Sequence, residues 1–299
     1  MGFDATGGKP YNGNQGDMLW YALVAVVVVV CAAAVLLFPT GSSSKKPAAI
    51  AQLVAGRSAP EAAGLLNAYG FPDEATSAVL AEIQRQDPKG HAKMMIAMAE
   101  RAIAGEKRDE LVEEIETWSV GYLMANYQHL NRSDPKYMDE ALVLFEDGLD
   151  LLTKVGGNTC DPKTLQRIAN SPDLVKTYSV YDGPVYKWGM RANLWALQAI
   201  HSGKTSPREL TTFTENDMKA VQTLAFKMMA DPQVQKLLQT QVQTGADLST
   251  PDALIDAADG IDICALGKTI ITEVRSFPAD TKARMWNSQV DPSVFSTIG

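Results

Sequence analysis

Cysteine and histidine are both rare in this 299-residue chain, three of each, and neither falls at a ligand spacing. No C-x-x-C occurs, which excludes zinc ribbons and thioredoxin-type redox motifs. His91, His129 and His201 stand far apart, with no H-x-x-x-H or H-E-x-x-H between them, so a histidine metal site is not expected. The glycine loops that cradle phosphates are missing, and so is G-x-S-x-G. These absences remove the common nucleotide and nucleophile chemistries without excluding an enzyme, and no cofactor is expected. Basic runs are missing too. The chain carries 27 Lys and Arg against 35 Asp and Glu, a formal charge of −8. Residues 1–47 hold Lys9, Lys45 and Lys46 against Asp4 and Asp17, which is +1, so the remainder carries −8 − 1 = −9. An acidic body repels phosphate backbones, and nucleic acid is not expected as a partner.

One long uncharged run is present. Met18 to Phe38 contains no charged residue. As a helix it would extend about 31 Å, against a hydrocarbon core of roughly 30 Å. Its valines matter little in lipid, where every backbone amide must be paired within the segment. Trp20 and Tyr21 at one edge and Phe38 at the other are the expected anchors at the bilayer interface. The run is too long for a signal peptide, the residues before it are not basic, and no small-x-small cleavage site follows. The expectation is a single transmembrane helix at 18–38, preceded by a loose Gly/Asn-rich tail at 1–17 and followed by a Ser/Lys/Pro/Ala linker at 39–57. Lys45, Lys46 and Arg57 follow the run while Lys9 alone precedes it, which puts the soluble part on the cytoplasmic side. A bond between Cys160 and Cys264 would argue for the opposite, oxidising side. Two free thiols, with Cys264 in a core, is the ordinary expectation; Cys31 lies inside the apolar run.

Strand patterns are absent from the rest, where helix signals recur. A Ser, Thr or Asp precedes proline at Asp87, Asp134, Asp161, Ser171, Ser206, Asp231, Thr250 and Asp291. The side-chain oxygen caps free amides, and a proline at the first helical position loses nothing by lacking its own N–H. Apolar residues recur at three and four in Leu111–Ile115–Trp118–Tyr122–Ala125 and in Met138–Leu142–Phe145–Leu149–Leu152. The same spacing runs through Val185–Trp188–Ala192–Trp195–Ala199, widened by Leu194 and Leu197, so that helix is expected to be central. Further stripes are Met218–Val221–Ala225–Met228 and Leu254–Ala258–Ile261–Ala265. The fold class is all-α, a multi-helix soluble domain behind the anchor. Gly156-Gly157-Asn158 suggests a boundary between helical subdomains 58–155 and 160–299. The helix pair from Trp118 to Phe145 has the look of one tetratricopeptide unit, but no second copy follows at that period.

Three groups of residues stand out. Tyr178, Tyr181, Tyr186 and Trp188 surround Asp182-Gly183-Pro184, where aromatic rings at a helix break offer partner-binding area; core packing is the competing reading. Asp252, Asp256, Asp259 and Asp262 fall on one face of one expected helix, and Asp256 and Asp259 are the candidate partner contacts there. A solvated face explains such a row equally simply. Glu110, Glu113, Glu114 and Glu116 crowd one helix and are expected to point outward, unlike the facing carboxylates of glycoside cleavage. The function this supports is a non-catalytic, single-pass membrane-anchored accessory subunit of a large membrane-associated assembly. Its partners would be other membrane subunits and the bilayer. The alternatives are a membrane-tethered cell-wall hydrolase of lytic transglycosylase type and a tethered binding module.

Overall fold

The computed structural model describes residues 58–171, 174, 177, 180–236, 239, 255 and 258–288. The expected tail, membrane helix and linker, with Trp20, Tyr21 and Phe38, lie outside the described residues, as do Tyr178, Asp252 and Asp256. Among the described residues the protein is all-α, the only β feature being an isolated bridge between Thr211 and Ser288. No helix among them is long and apolar enough to cross a membrane.

The first four helices fold as a unit. Helix α1 (Ala59–Ala68) begins with a capping box, in which the Glu61 carboxylate accepts from the Ser58 amide at 2.7 Å. Helix α2 (Glu74–Gln86) is capped by Asp73, which accepts from the Thr76 amide at 2.7 Å, and α3 (Pro88–Ile103) by Asp87, which accepts from Gly90 at 2.9 Å. Helix α4 (Arg108–Asn126) runs on into a 3-10 turn, Tyr127–Arg132. Leu66, Phe71, Val79, Ile83, Met98, Leu111 and Ile115 bury their side chains together in this unit. Arg101 of α3 ties to α4 through Glu113 at 2.9 Å and Glu114 at 3.3 Å.

The second part contains α5 (Lys136–Val155), α6 (Pro162–Ala169), α7 (Pro184–Thr205), α8 (Glu215–Ala230), α9 (Ile263–Arg275) and α10 (Ala279–Trp286). Leu142 and Leu149 of α5 share a core with Leu224 and Met228 of α8 and with Cys264, Ile270, Ile271 and Val274 of α9. Helix α7 is central, as its wide stripe predicts. It sends Tyr186, Met190 and Leu197 into the first core. From α7, the Trp188 indole donates to Leu144 O at 2.8 Å and the Trp195 indole to Tyr137 O at 3.0 Å, both on α5. Near its end it passes so close to the 3-10 turn that a Cβ on Gly203 would lie 1.8 Å from the His129 carbonyl oxygen.

Side-chain packing does not divide at Gly156–Asn158. Helix α5 precedes those residues yet packs with α8 and α9, and α7 follows them yet completes the first core. Gly156, Gly157 and Asn158 all take positive φ, at 80°, 70° and 61°. Glycine and asparagine suit this turn because its backbone takes positive φ, where their pattern in sequence suggests a subdomain boundary. The proline device holds at Asp87 and Asp161, while α5 starts one residue after Pro135. Ser206-Pro207 is the exception: it closes α7 and begins no helix.

Candidate functional site

The aromatic corner divides into two. Tyr181 and Tyr186 stay together, with ring centroids 5.0 Å apart, and Phe71 lies 5.9 Å from Tyr181. Trp188 turns the other way, against α5, and Trp195 packs on Phe145 and Trp286. Tyr186 and Trp188 are buried, so neither presents surface to a partner, and core packing accounts for both. The reason is the four-residue turn geometry of α7: positions 186 and 188 sit on opposite flanks of one buried helix.

Polar groups gather behind the two tyrosines. The Asp73 amide donates to the Tyr181 hydroxyl at 2.9 Å, and the Tyr186 hydroxyl hydrogen-bonds Thr76. Burial pushes both phenols up, helped by the Asp73 charge. The outer Asp73 oxygen, Oδ2, and the hydroxyl of buried Ser119 have no hydrogen-bond partner among the described residues. The Glu116 charge on α4 also raises the Tyr186 phenol, after burial, Asp73 and Tyr181.

Glu116 corrects the expectation that all four glutamates point outward. Glu110 closes the cap of α4 by accepting from the Lys107 amide at 2.7 Å, and Glu113 and Glu114 hold Arg101. Glu116 is instead turned inward. Burial first, and the Glu113 charge second, push its carboxyl up to about 8, with no cation to offset them. The signal was in the sequence. Val112, Glu116, Ser119 and Leu123 are spaced four, three and four apart, and the other three all join or border the first core. A carboxyl held neutral in this way contributes its stability below the ordinary glutamate range and loses it as pH rises through about 8. Glu116→Gln is expected to flatten the fall of melting temperature with pH and to leave the variant more stable than the parent above about pH 8. Parallel melting curves that keep the same pH slope would show that Glu116 is solvated.

Asp259 and Asp262 do not share a helix face. Residues 258–260 are a turn, Gly260 has φ +68°, and α9 begins only at Ile263. Gly260 interrupts the stripe that joined Leu254 to Ala265. Asp259 is exposed and its carboxylate meets Lys163 at 3.1 Å. Asp262 is the N-cap of α9, accepting from Ala265 at 2.9 Å. Immediately beside it, Cys160 and Cys264 are joined as a disulfide, with Cα atoms 5.3 Å apart, where sequence reading preferred two free thiols. Their separation of 104 residues gave no local signal.

Helix α8 carries an apolar row on its solvent side. Met218, Phe226 and Met229 are exposed, Phe226 by 68%, while Leu224, Ala225 and Met228 of the same helix are buried. With Gln222 between them they are spaced four, four and three apart, one continuous line along the helix. Comparison with protein-family models, curated proteins and solved structures finds no match. The functional reading therefore rests on these residues alone.

Proposed function

We propose that the chain is a single-pass, membrane-anchored accessory subunit of a membrane-associated assembly, with its helical domain on the extracytoplasmic side. The uncharged run from Met18 to Phe38 supplies the anchor, with Trp20, Tyr21 and Phe38 at its edges. The Cys160–Cys264 disulfide supports that side, because thiol-reducing cytosol does not keep structural disulfides. That consideration outweighs a bias of two positive charges after the run. The contact surface is the α8 row, and it is the observation that carries the reading: Met218, Phe226 and Met229 stand in water at helix spacing without a fold-building role. Its occupant would be an apolar helix of a neighbouring subunit. Asp259, exposed and paired with Lys163, remains as an acidic contact; Asp256 lies outside the described residues.

Phe226→Asp tests this directly. An exposed aromatic anchor at an interface centre is worth about 2 kcal/mol, or roughly a thirtyfold loss of affinity. Detergent extraction of the full chain, followed by mass spectrometry of what co-migrates, is expected to lose its partner subunits in the variant while the circular dichroism stays unchanged. Undiminished co-purification would remove α8 from the reading.

One observation favours the second reading, a tethered hydrolase. Burial pushes the Glu116 carboxyl up to about 8, the direction a general acid needs. If this reading holds, Glu116→Gln abolishes release of soluble fragments from purified peptidoglycan; equal release by parent and variant, or none by either, removes it.

A further inference from the structure

The geometry points to a redox-gated metal site made by Cys160, Cys264 and Asp262, closed while the two sulfurs are bonded and able to take a divalent cation of zinc type once they are parted. The thiol and carboxylate ligand atoms of these three residues lie within 4.8 Å of one another. Two ligands on one zinc ion sit about 3.5–3.8 Å apart when tetrahedral, given bonds of about 2.0–2.3 Å. The Cα atoms of the two cysteines are 5.3 Å apart, and all three ligand atoms already lie within 4.8 Å of one another.

Three contacts independent of the disulfide keep the ligands together. The Ile263 amide donates to the Cys160 carbonyl at 2.9 Å. The Gly260 amide donates to Asp161 Oδ1 at 3.3 Å, and Lys163 meets Asp259 at 3.1 Å. The loop carrying Cys160 is thus clipped to the turn carrying Asp262 and Cys264 by backbone and side chain alike. Cys264 is the second residue of α9, a 13-residue helix whose N-terminal amides favour a thiolate. Asp262 is exposed and uses one oxygen for its cap, which leaves the other to a metal, and Cys160 is partly exposed, so an ion has a path from solvent. The three protein ligands leave a fourth position for water.

The chemistry balances with a dithiol as reductant. The Cys160–Cys264 bond takes two electrons and two protons from the dithiol, which closes to its own disulfide. The cation then binds both sulfurs and Asp262 and releases the two thiol protons. Exchange with an external disulfide, which takes up the two electrons and two protons from water and leaves as its dithiol, re-forms the Cys160–Cys264 bond and expels the ion, because a bonded sulfur is no thiolate. This site does not depend on the anchored-subunit reading.

Cobalt is the probe. The full chain carrying Cys31→Ser, so that the remaining thiols are those of the site, is reduced with a phosphine, desalted without oxygen and titrated with Co²⁺. The reduced protein is expected to show a thiolate-to-cobalt charge-transfer band and tetrahedral visible bands saturating at one ion per chain, while the oxidised protein shows neither. Cys160→Ser should abolish the charge-transfer signal of a two-thiolate site. Asp262→Asn keeps a helix cap of equal quality and should weaken cobalt binding by roughly tenfold or more. Absence of the band in a reduced chain that keeps its helical circular dichroism would overturn the site. So would loss of that dichroism on reduction, which would mean that the three contacts do not hold the ligands, or cobalt affinity undiminished in Asp262→Asn.

Discussion

Reducing the Cys160–Cys264 disulfide is expected to lower the melting temperature by about 10–20 °C. The bond closes a loop of 104 residues between the end of α5 and the start of α9. Under the chain-entropy account, closing about 100 residues restricts the unfolded chain by about 4.7 kcal/mol. A domain of this size shifts by roughly 2–4 °C per kcal/mol. The Ile263–Cys160 hydrogen bond and the Lys163–Asp259 pair join the same two segments without involving the sulfurs. Calorimetry of the full chain with and without a phosphine reductant, alongside the Cys160→Ala, Cys264→Ala double variant, measures it. The double variant should melt where the reduced parent melts. A melting temperature unchanged by reduction would mean that the two cysteines are not bonded in solution.

The second large effect lies at Asp217, the fully buried carboxylate at the head of α8. Arg284 of α10 grips it with two hydrogen bonds, at 2.7 and 2.9 Å; the Thr281 hydroxyl donates to it at 2.7 Å and the Thr214 amide at 2.8 Å. The Arg284 hydrogen bonds first, then the Thr214 and Thr281 donors, hold its carboxyl well below the usual carboxylate range despite its burial. Taking away one partner of such a pair strands the other, so Asp217→Asn is expected to lower the melting temperature by on the order of 10 °C. The pH dependence has a definite sign. A depressed folded-state value means that the contribution is intact above the unfolded carboxyl range, near pH 4 for aspartate, and is lost as pH falls toward the folded value. The parent should therefore lose stability on acidification below about pH 4 more steeply than Asp217→Asn does. Acid titrations followed by circular dichroism that run parallel in the two proteins would show that the pair does not govern this window.

The helices themselves were legible because amphipathic spacing and capping chemistry act locally. Asp87 and Asp161 each face a free amide three residues on, and that is readable without knowing the fold. The central place of α7 was legible for a similar reason, since apolar residues on more than one face need burial on more than one side. Three things were not legible. Gly156 and Gly157 look alike whether they serve a linker or a left-handed turn. Gly260 turns the chain between Asp259 and Asp262, and an isolated glycine inside a periodic stripe carries too little weight to say so. The disulfide joins residues with no spacing pattern to betray them, so only the tertiary fold brings Cys160 to Cys264.

The candidate site shows the same limit at finer grain. Tyr181 and Tyr186 flank the Asp182-Gly183-Pro184 break in sequence, but the groups that bond their hydroxyls, Asp73 and Thr76, come from the start of α2, far away in sequence. Glu116 was passed over because it was grouped with the charges beside it in sequence, when its helical neighbours are Val112 and Ser119. The exposed row of α8 went unnoticed because Met218 was assigned to the buried stripe; in the structure Leu224 holds the core place and Met218 lies 42% exposed.

Protease treatment of sealed cells probes the central proposal most directly. Lys45 stands in the Ser/Lys/Pro linker between the uncharged run and the helical domain. With the domain outside, trypsin added to intact cells releases a soluble, disulfide-bonded fragment that begins after Lys45 or within the linker. If the fragment is released only after the membrane is broken, or if the chain is recovered without any membrane association, the anchored extracytoplasmic placement is contradicted.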